Sequence, residues 1–429
     1  MGTGSVISGK TQANIDFSLE YLHRIDRLKI LEGNSAAIQE IGIFGDENTE
    51  NRLYAGDNLN ILRGLCNDNH IKGKVRLVYI DPPFATGMAF ESATVGSAYS
   101  DHVQGAGYIE SLRQRIIVLR ELLAQDGSMY LHLDSKMIFP AKLIMDEVFG
   151  SDQFRSLITR VKCNPKNQAR RQYGDVCDYL LFYSKTRSYI WNQPVIPWDE
   201  EAGRKEYAYV EESTGRSFKK VPCHLPGVRF GATGTKWKGK LPPPGKHWVH
   251  SPAKLDEMDR KGEIYWSATG NPRRKLYLDE AAGKRQSNLW SQFRDTQNQN
   301  AKVTGYPTEK NPDMLSMIVK ASSGPGDLIL DAYAGSGTTL AAAGESGRTW
   351  VGIDESPVAI ETTVKRLVLG TPTMGSHAKN NYAQRELAID RQATEHSFRV
   401  FLDAGNKPLA KSVTSFLKKR LLTSAFKPV

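Results

Sequence analysis

The sequence predicts an α/β protein, a wound sheet of alternating strands and helices interrupted by a long basic insertion. Three observations carry that expectation. Short apolar runs such as Val75-Arg76-Leu77-Val78-Tyr79-Ile80 end on an acidic residue, as buried strands of such sheets do. A glycine loop, Asp331-Ala332-Tyr333-Ala334-Gly335-Ser336-Gly337-Thr338-Thr339, stands between a strand pattern and an alanine-rich helix. From about 186 to 300 the periodicity fades, and basic and aromatic residues crowd together.

The elements follow in order. Residues 1–50 read as an N-terminal helical arm, because Ile15, Leu19, Leu22, Ile25 and Leu28 recur at three- and four-residue steps. Residues 51–185 are the first half of the sheet domain. There Val75–Ile80 is a strand delivering Asp81 at its carboxyl end, where open α/β sheets bind ligands. Residues 85–107, rich in Gly, Ala and Ser, read as a mobile loop beside that end. Ile109, Leu112, Ile116, Ile117, Leu119 and Leu123 give a helical face that Asp126-Gly127 closes, and 128–133 and 178–183 are further strands.

Residues 186–300 are the insertion, with a loop at Pro242-Pro243-Pro244-Gly245. Lys219, Lys220, Lys236, Lys238, Lys240, Arg273 and Arg274 mingle there with Trp237, Trp248, Tyr265, Trp266 and Tyr277. That mixture suggests a nucleic-acid face of phosphate contacts and base stacking. Residues 301–375 return to the sheet. Asn311 caps a helix with Pro312 at its first position, Gly324-Pro325-Gly326 breaks it, 327–331 and 349–353 are strands, and Ser356-Pro357 and Gly370 bound the last helix. Residues 376–429 read as a polar, helical C-terminal extension.

Composition narrows the classes. The 429 residues are 40% hydrophobic and 24% charged, ordinary for a globular protein, and the net charge of +10 favours a polyanionic partner. No apolar run approaches bilayer length, so no membrane association is expected. The start lacks a basic stretch followed by an apolar one, and Val6 spoils a myristoylation motif. Cys66, Cys163, Cys177 and Cys223 form no Cys-x-x-Cys pair, so reduced structural thiols and no metal are expected over the alternative that Cys223-His224 with His247 and His250 coordinates an ion.

The glycine loop suits a nucleoside without phosphates. A dinucleotide fingerprint would carry glycine where Leu340 stands, and a phosphate-binding loop would carry Gly-Lys where Gly337-Thr338 stands. Asp354, ending the next strand, suits two ribose hydroxyls. S-adenosylmethionine has a ribose and no phosphate. The tetrapeptide Asp81-Pro82-Pro83-Phe84 suits an exocyclic amino group, whose lone pair is delocalised into its base. The Asp81 carboxylate and Pro82 carbonyl would accept its two hydrogens and localise that pair. Pro83 stiffens the turn, and Phe84 offers a face to a flipped base. A pyrimidine-C5 chemistry would use a cysteine after proline, but Pro222-Cys223 lies in the irregular insertion with nothing to activate the thiol.

At these residues the chain resembles the β group of amino-methylating DNA methyltransferases, in which the catalytic motif precedes the target-recognition region and the cofactor motif. The resemblance covers most of 52–370. It rests on Tyr54-Ala55-Gly56-Asp57-Asn58-Leu59, on 79–87, on 126–134, on Tyr306-Pro307-Thr308-Glu309-Lys310 and on 331–339. Phe84-Ala85 stands where relatives often have Tyr-Asn, Glu309 where they have Gln, Asn311 where they have Pro, and Tyr333 where they have Phe.

The resemblance implies a Rossmann-like, S-adenosylmethionine-dependent methyltransferase sheet in permuted order. Its catalytic half would be 51–185, its target-recognition insertion 186–300 and its cofactor half 301–375. Asp57 would meet the cofactor adenine, Thr308 and Lys310 its methionine carboxylate, and Asp331, Tyr333, Gly335, Gly337 and Thr338 the loop side. Because 247–290, notably Arg274-Lys275-Leu276-Tyr277-Leu278-Asp279-Glu280, also looks like family sequence, the reading part narrows to about 186–245.

The expected reaction is methylation of adenine N6 in double-stranded DNA by direct displacement on a flipped base. Relatives acting on cytosine N4 more often carry Ser in place of Asp81. Cytosine N4 methylation, a non-catalytic DNA-binding subunit and an RNA substrate remain alternatives. So do a homodimer and a restriction endonuclease partner. The implied location is cytoplasmic, in a bacterium or phage setting and nucleoid-associated. For one sheet to form, the strand ending at Asp81 must lie beside the strand ending at Asp331, which would put the insertion on the rim of the cofactor cleft.

Overall fold

Residues 19–83, 89–92, 96–100, 105–164, 171, 173–295, 304, 306, 308–371, 396–418 and 426–429 are described by the computed structural model. Along the chain come α1 (Arg27–Leu31), β1 (Ile38–Phe44), β2 (Arg52–Ala55), α2 (Asn58–Leu65) and β3 (Val75–Ile80). A hairpin of β4 (Ala89–Ser92) and β5 (Gly96–Ser100) follows, then α3 (Ala106–Leu122), β6 (Leu123–Leu133), α4 (Ile138–Phe149), β7 (Phe154–Val161) and β8 (Cys177–Ser184). Next are β9 (Val195–Ile196), α5 (Glu200–Glu206), β10 (Tyr209–Val210), β11 (Ser217–Pro222), β12 (His224–Pro226), β13 (Lys246–Trp248), α6 (Pro252–Arg260), β14 (Ile264–Trp266), β15 (Pro272–Tyr277) and β16 (Lys284–Arg285). The chain ends with β17 (Leu289–Trp290), α7 (Pro312–Ser322), β18 (Leu328–Asp331), α8 (Thr338–Glu345), β19 (Thr349–Asp354), α9 (Pro357–Leu369), β20 (Phe398–Asp403), α10 (Lys407–Leu417) and β21 (Phe426–Pro428). Two compact units result, Met1–Gln193 with Ser287–Val429, and Pro194–Gln286.

The first unit is built on an eleven-stranded sheet in the order β17-β7-β8-β6-β3-β18-β19-β2-β20-β1-β21. Its middle, from β6 to β20, is parallel. Parallel strands are covered on both faces and so read as continuous apolar runs, which is why β3 was visible in the sequence. Alternation splits that run between two layers. Val78 and Ile80 pack in one with Leu62 of α2, Ile116 and Ile117 of α3 and Ile144 of α4. Leu77 and Tyr79 face the other, with Leu315 and Ile318 of α7, Leu340 of α8, Ile360 of α9 and Val413 of α10.

The caps expected from sequence are present. Asn311 Oδ1 accepts the Asp313 and Met314 N–H groups at 3.0 and 3.1 Å, and Ser356 caps α9.

Three expectations are corrected. The arm at 1–50 is not a continuous helix. Residues 1–18 lie outside the described residues, α1 has five residues, Leu22 and Leu28 are exposed, and 38–44 is a strand. Strand β1 pairs with β20 and β21, so 38–44 takes its structure from partners at the far end of the chain, which the spacing at 15–28 could not reveal. The extension at 376–429 is mixed rather than helical. Strand β20 alternates buried and half-buried residues with a period of two, and it enters the sheet between β2 and β1. The loop expected at 85–107 contains the β4–β5 hairpin and the start of α3, and its other residues up to 104 lie outside the described ones.

The second unit has a four-stranded antiparallel sheet, β10-β11-β15-β14, with β12–β13 and β9–β16 as separate pairs. Its core gathers Cys223, Trp237, Trp248, Leu255 and Ile264. Trp237 Nε1 donates to Asp256 at 2.8 Å, and Trp248 Nε1 donates to the Thr235 carbonyl at 2.9 Å. Trp237, Trp248 and Tyr277 are therefore buried structural groups and not the base-stacking faces expected of them. Among the described residues no helix is long and apolar enough to cross a membrane.

Candidate functional site

Strands β3 and β18 are parallel neighbours, so Asp81 and Asp331 emerge side by side from two distant parts of the sequence. The cavity at their carboxyl ends is lined by Asp81, Pro82 and Pro83 on one side and by Asp331, Tyr333, Gly335, Thr338 and Asp354 on the other. Thr308 and Lys310 complete the wall, together with Asn58, Tyr79, Arg115, Tyr306 and Glu355, to which no motif had assigned a role.

The glycine loop has the backbone its residue types allow. Gly335 and Gly337 sit at φ 53° and 73°, in the left-handed region. A Cβ at 337 would also lie 2.9 Å from Thr363, so only glycine lets α8 start this close to α9. Gly335 donates its N–H to Asp354 Oδ2 at 2.8 Å, and Ser356 donates to Asp354 Oδ1 at 2.9 Å. Each carboxylate oxygen keeps a second lone pair for a ligand hydroxyl. Burial pushes the Asp354 carboxyl up to about 6. Burial also pushes Asp331 up to about 7, with the Asp81 and Asp354 charges adding and hydrogen bonds from Thr339 and the Tyr333 N–H opposing.

Asp57 is the cap of α2, accepting the Asn60 N–H at 2.9 Å, and it pairs with Arg115 at 3.1 Å. It is not among the cavity-lining residues, whereas its neighbour Asn58 is. Asn58 donates to the Ala332 carbonyl at 2.8 Å and accepts from Arg115 at 2.5 Å.

Asp81 divides its two oxygens. Oδ2 lies 2.6 Å from Lys310 Nζ. Oδ1 is buried and accepts no hydrogen bond among the described residues. His132 Nδ1 lies 3.8 Å from that oxygen and 2.8 Å from the Tyr79 hydroxyl. His132 Nε2 is 3.0 Å from Asp178, which also pairs with Arg160 at 2.7 Å. Burial alone would raise the Asp178 carboxyl, but His132 and Arg160 outweigh it and hold it well below its usual range. A histidine in the apolar run of β6 and an aspartate at the start of β8 were the signals for this buried network.

Glu309 departs from the glutamine common among relatives, and its charge is balanced. It forms a buried ion pair with Arg366 of α9, and its other oxygen accepts from Thr304 N and Oγ1 at 2.8 and 2.7 Å. Arg366 also donates to Thr338 Oγ1 at 2.6 Å. Thr308 sits at φ 60°, a left-handed conformation that a β-branched residue adopts only under constraint. Phe84 lies outside the described residues.

The basic residues expected to meet nucleic acid do not form one stripe. Across the β11–β15 ladder Lys220 and Arg273 share one face, while Lys219 and Arg274 share the other. Lys220 lies between the rings of Tyr209 and Tyr265, at 3.5 and 3.6 Å, and Lys219 pairs with Glu206. Lys236, Lys238 and Lys240 lie on the loop after β12, where Lys238 pairs with Asp259 and Lys240 donates to the Gly270 carbonyl. Burial pushes the Cys223 thiol up to about 11, the opposite of an activated nucleophile. Among the described residues no three His, Cys, Asp or Glu side chains converge as a metal site.

Comparison with known proteins matches residues 75–365 to the DNA methylase family N6_N4_Mtase. The chain is 41% identical to the Type II methyltransferase M.EcaI of Enterobacter cloacae, over 94% of this chain and 90% of that protein. It is 36% identical to the DNA adenine methyltransferase YhdJ of Escherichia coli, over 73% and 80%. It is 24% identical to the Type III restriction-modification enzyme StyLTI Mod subunit of Salmonella typhimurium, over 68% of this chain and 50% of that one.

Proposed function

The chain belongs to the DNA methylase family, and from that premise we propose that it methylates adenine N6 at specific sites in duplex DNA, with S-adenosylmethionine as donor. The observation that carries the proposal is the state of Asp81, one oxygen braced by Lys310 and the other a buried acceptor without a donor among the described residues.

The residues fit the cofactor. Gly335 and Gly337 form a turn that a Cβ would disturb, and Asp354 offers lone pairs to a ribose. When bound, S-adenosylmethionine supplies an electrophilic methyl group on a sulfonium, whose sulfur keeps the electron pair of the C–S bond when the methyl leaves. Asp354 orients the ribose, and Asn58 and Arg115 close the cavity beside Tyr333. Asp81 Oδ1 and the Pro82 carbonyl accept the two N6 hydrogens, which localises the nitrogen lone pair and aims it at the methyl carbon. Asp81 then takes one proton from the methylated nitrogen.

Phe84 provides the stacking face for the flipped base. The unit Pro194–Gln286 reads the sequence, and a restriction endonuclease of the same specificity is the partner this reading implies.

The test expresses the protein in a methylation-free host and maps modified bases, beside Asp81→Ala. N6-methyladenine at one recurrent site, absent with Asp81→Ala, is expected. Equal modification by both proteins sinks the mechanism, and N4-methylcytosine overturns the choice of base.

A further inference from the structure

We propose that the loop between β12 and β13 is a rigid finger that inserts Phe230 between the bases of duplex DNA. The proposal rests on the DNA methylase reading for its ligand, but its geometry stands within the second unit alone. Phe230 is 98% exposed, and Val228, Leu225 and Leu241 near it in sequence are 63%, 45% and 60% exposed. Phe230 thus stands almost fully in water, and its apolar neighbours in sequence are exposed with it.

The base of the loop is fixed. Gly227 N–H donates to the Gly245 carbonyl at 2.9 Å, and His247 Nδ1 is 2.8 Å from the Gly227 carbonyl. Trp237 and Lys240 exchange backbone hydrogen bonds at 2.9 Å across a turn with Lys238 at φ 44° and Gly239 at φ 77°. Trp237 stacks on Trp266 at 5.3 Å and meets Trp248 edge-on at 5.8 Å. At the tip, a Cβ on Gly234 would fall 1.7 Å from the Arg229 carbonyl oxygen, so the chain folds directly against the residue before Phe230.

Charge selects the occupant. The loop 227–245 carries Arg229, Lys236, Lys238 and Lys240 and no Asp or Glu, with Lys238 paired to Asp259 and Lys240 donating to the Gly270 carbonyl. Arg229, Lys236 and Lys246 flank the apolar tip and are exposed. A polyanion whose interior is aromatic matches both features: its phosphates meet the basic flanks, and its base steps admit an apolar wedge.

The experiment uses the full chain and, as probe, the duplex site found by base mapping, with 2-aminopurine placed at successive steps. Phe230→Ala should weaken binding about tenfold and abolish a 2-aminopurine fluorescence rise at one step, with an unchanged unfolding midpoint because the side chain is exposed. Phe230→Trp should restore both. Wild-type affinity and fluorescence in Phe230→Ala overturn the proposal. A changed oligomeric state with unchanged DNA affinity also overturns it and assigns the finger to a protein partner. Loss of methylation in Asp81→Ala with DNA binding retained keeps the two readings separable, since the finger is scored on binding and the chemistry on transfer.

Discussion

Arg366→Met tests whether the balanced charge at Glu309 organises the cofactor side of the cavity. The Arg366 and Glu309 side chains are 3% and 4% exposed. Removing one partner of a buried pair strands the other charge and costs about 3–5 kcal/mol. Arg366→Met also removes the donor at 2.6 Å from Thr338 Oγ1, while Glu309 keeps the two Thr304 donors, so the middle of that range is expected. Glu309→Gln is isosteric, but its single carbonyl oxygen must choose between Arg366 and Thr304, which costs about 1–3 kcal/mol. The double variant has no buried charge and should be more stable than the sum of the two losses, with a coupling of at least about 2 kcal/mol. Urea unfolding at 25 °C supplies the four free energies, and cofactor titration of the same proteins reports the geometry of 308–310. A loss under about 1 kcal/mol in Arg366→Met, or additivity within about 0.5 kcal/mol, would refute the reasoning.

Two further outcomes follow from the buried polar groups. Asp331 and Asp354 have folded values of about 7 and 6, raised above the usual 3.8, so the folded protein holds protons there that the unfolded chain releases. The stability they contribute without ligand is full below about 3.8 and is lost as pH rises through 6 and 7. A ribose needs Asp354 ionised, so cofactor affinity measured by calorimetry should tighten up to about tenfold per pH unit between pH 5 and 6, and Asp354→Asn should lose that segment of the profile. A flat wild-type profile contradicts the assignment. Tyr79→Phe removes the hydroxyl 2.8 Å from His132 and should lower the single-turnover methylation rate with cofactor affinity unchanged, whereas equal losses in both would mark a general structural defect.

The parts of the fold legible in the sequence were those that local physics dictates. Strand β3 is buried on both faces, so its apolar run needs no knowledge of partners. Asn311-Pro312 and Ser356-Pro357 cap their helices through contacts three residues long or shorter. Flanking strands β1, β20 and β21 were not legible, because their burial depends on one another across most of the chain. The insertion misled for a related reason. Aromatic residues interleaved with lysines are compatible with an exposed face, and only the fold turns Trp237 and Trp248 inward while leaving Phe230 out. At the site, residue types pointed to Asp81 and the glycine loop, but strand order brings His132, Arg160 and Asp178 together and the packing of α9 brings Arg366 to Glu309.

That order does more than bring two motifs to one cavity. Pairing β3 with β18 sets Asp81 beside Asp331, yet it leaves the direction of each carboxylate free. Two side-chain linkages, joined by the 309–310 peptide, bear on that direction. Thr338, at the start of α8, accepts from Arg366; Arg366 holds Glu309; and the next residue, Lys310, holds Asp81 Oδ2 at 2.6 Å. Glutamine at 309 would preserve the shape of this linkage but not its charge, so Glu309 and Arg366 belong to one substitution in physical terms. The glycine loop and the Asp81 carboxylate are thereby linked through 309–310. A change at Arg366, which reaches the cavity only through Thr338 and Glu309, should accordingly be felt at Asp81, whose Oδ2 is held by Lys310 while its Oδ1 accepts no hydrogen bond among the described residues.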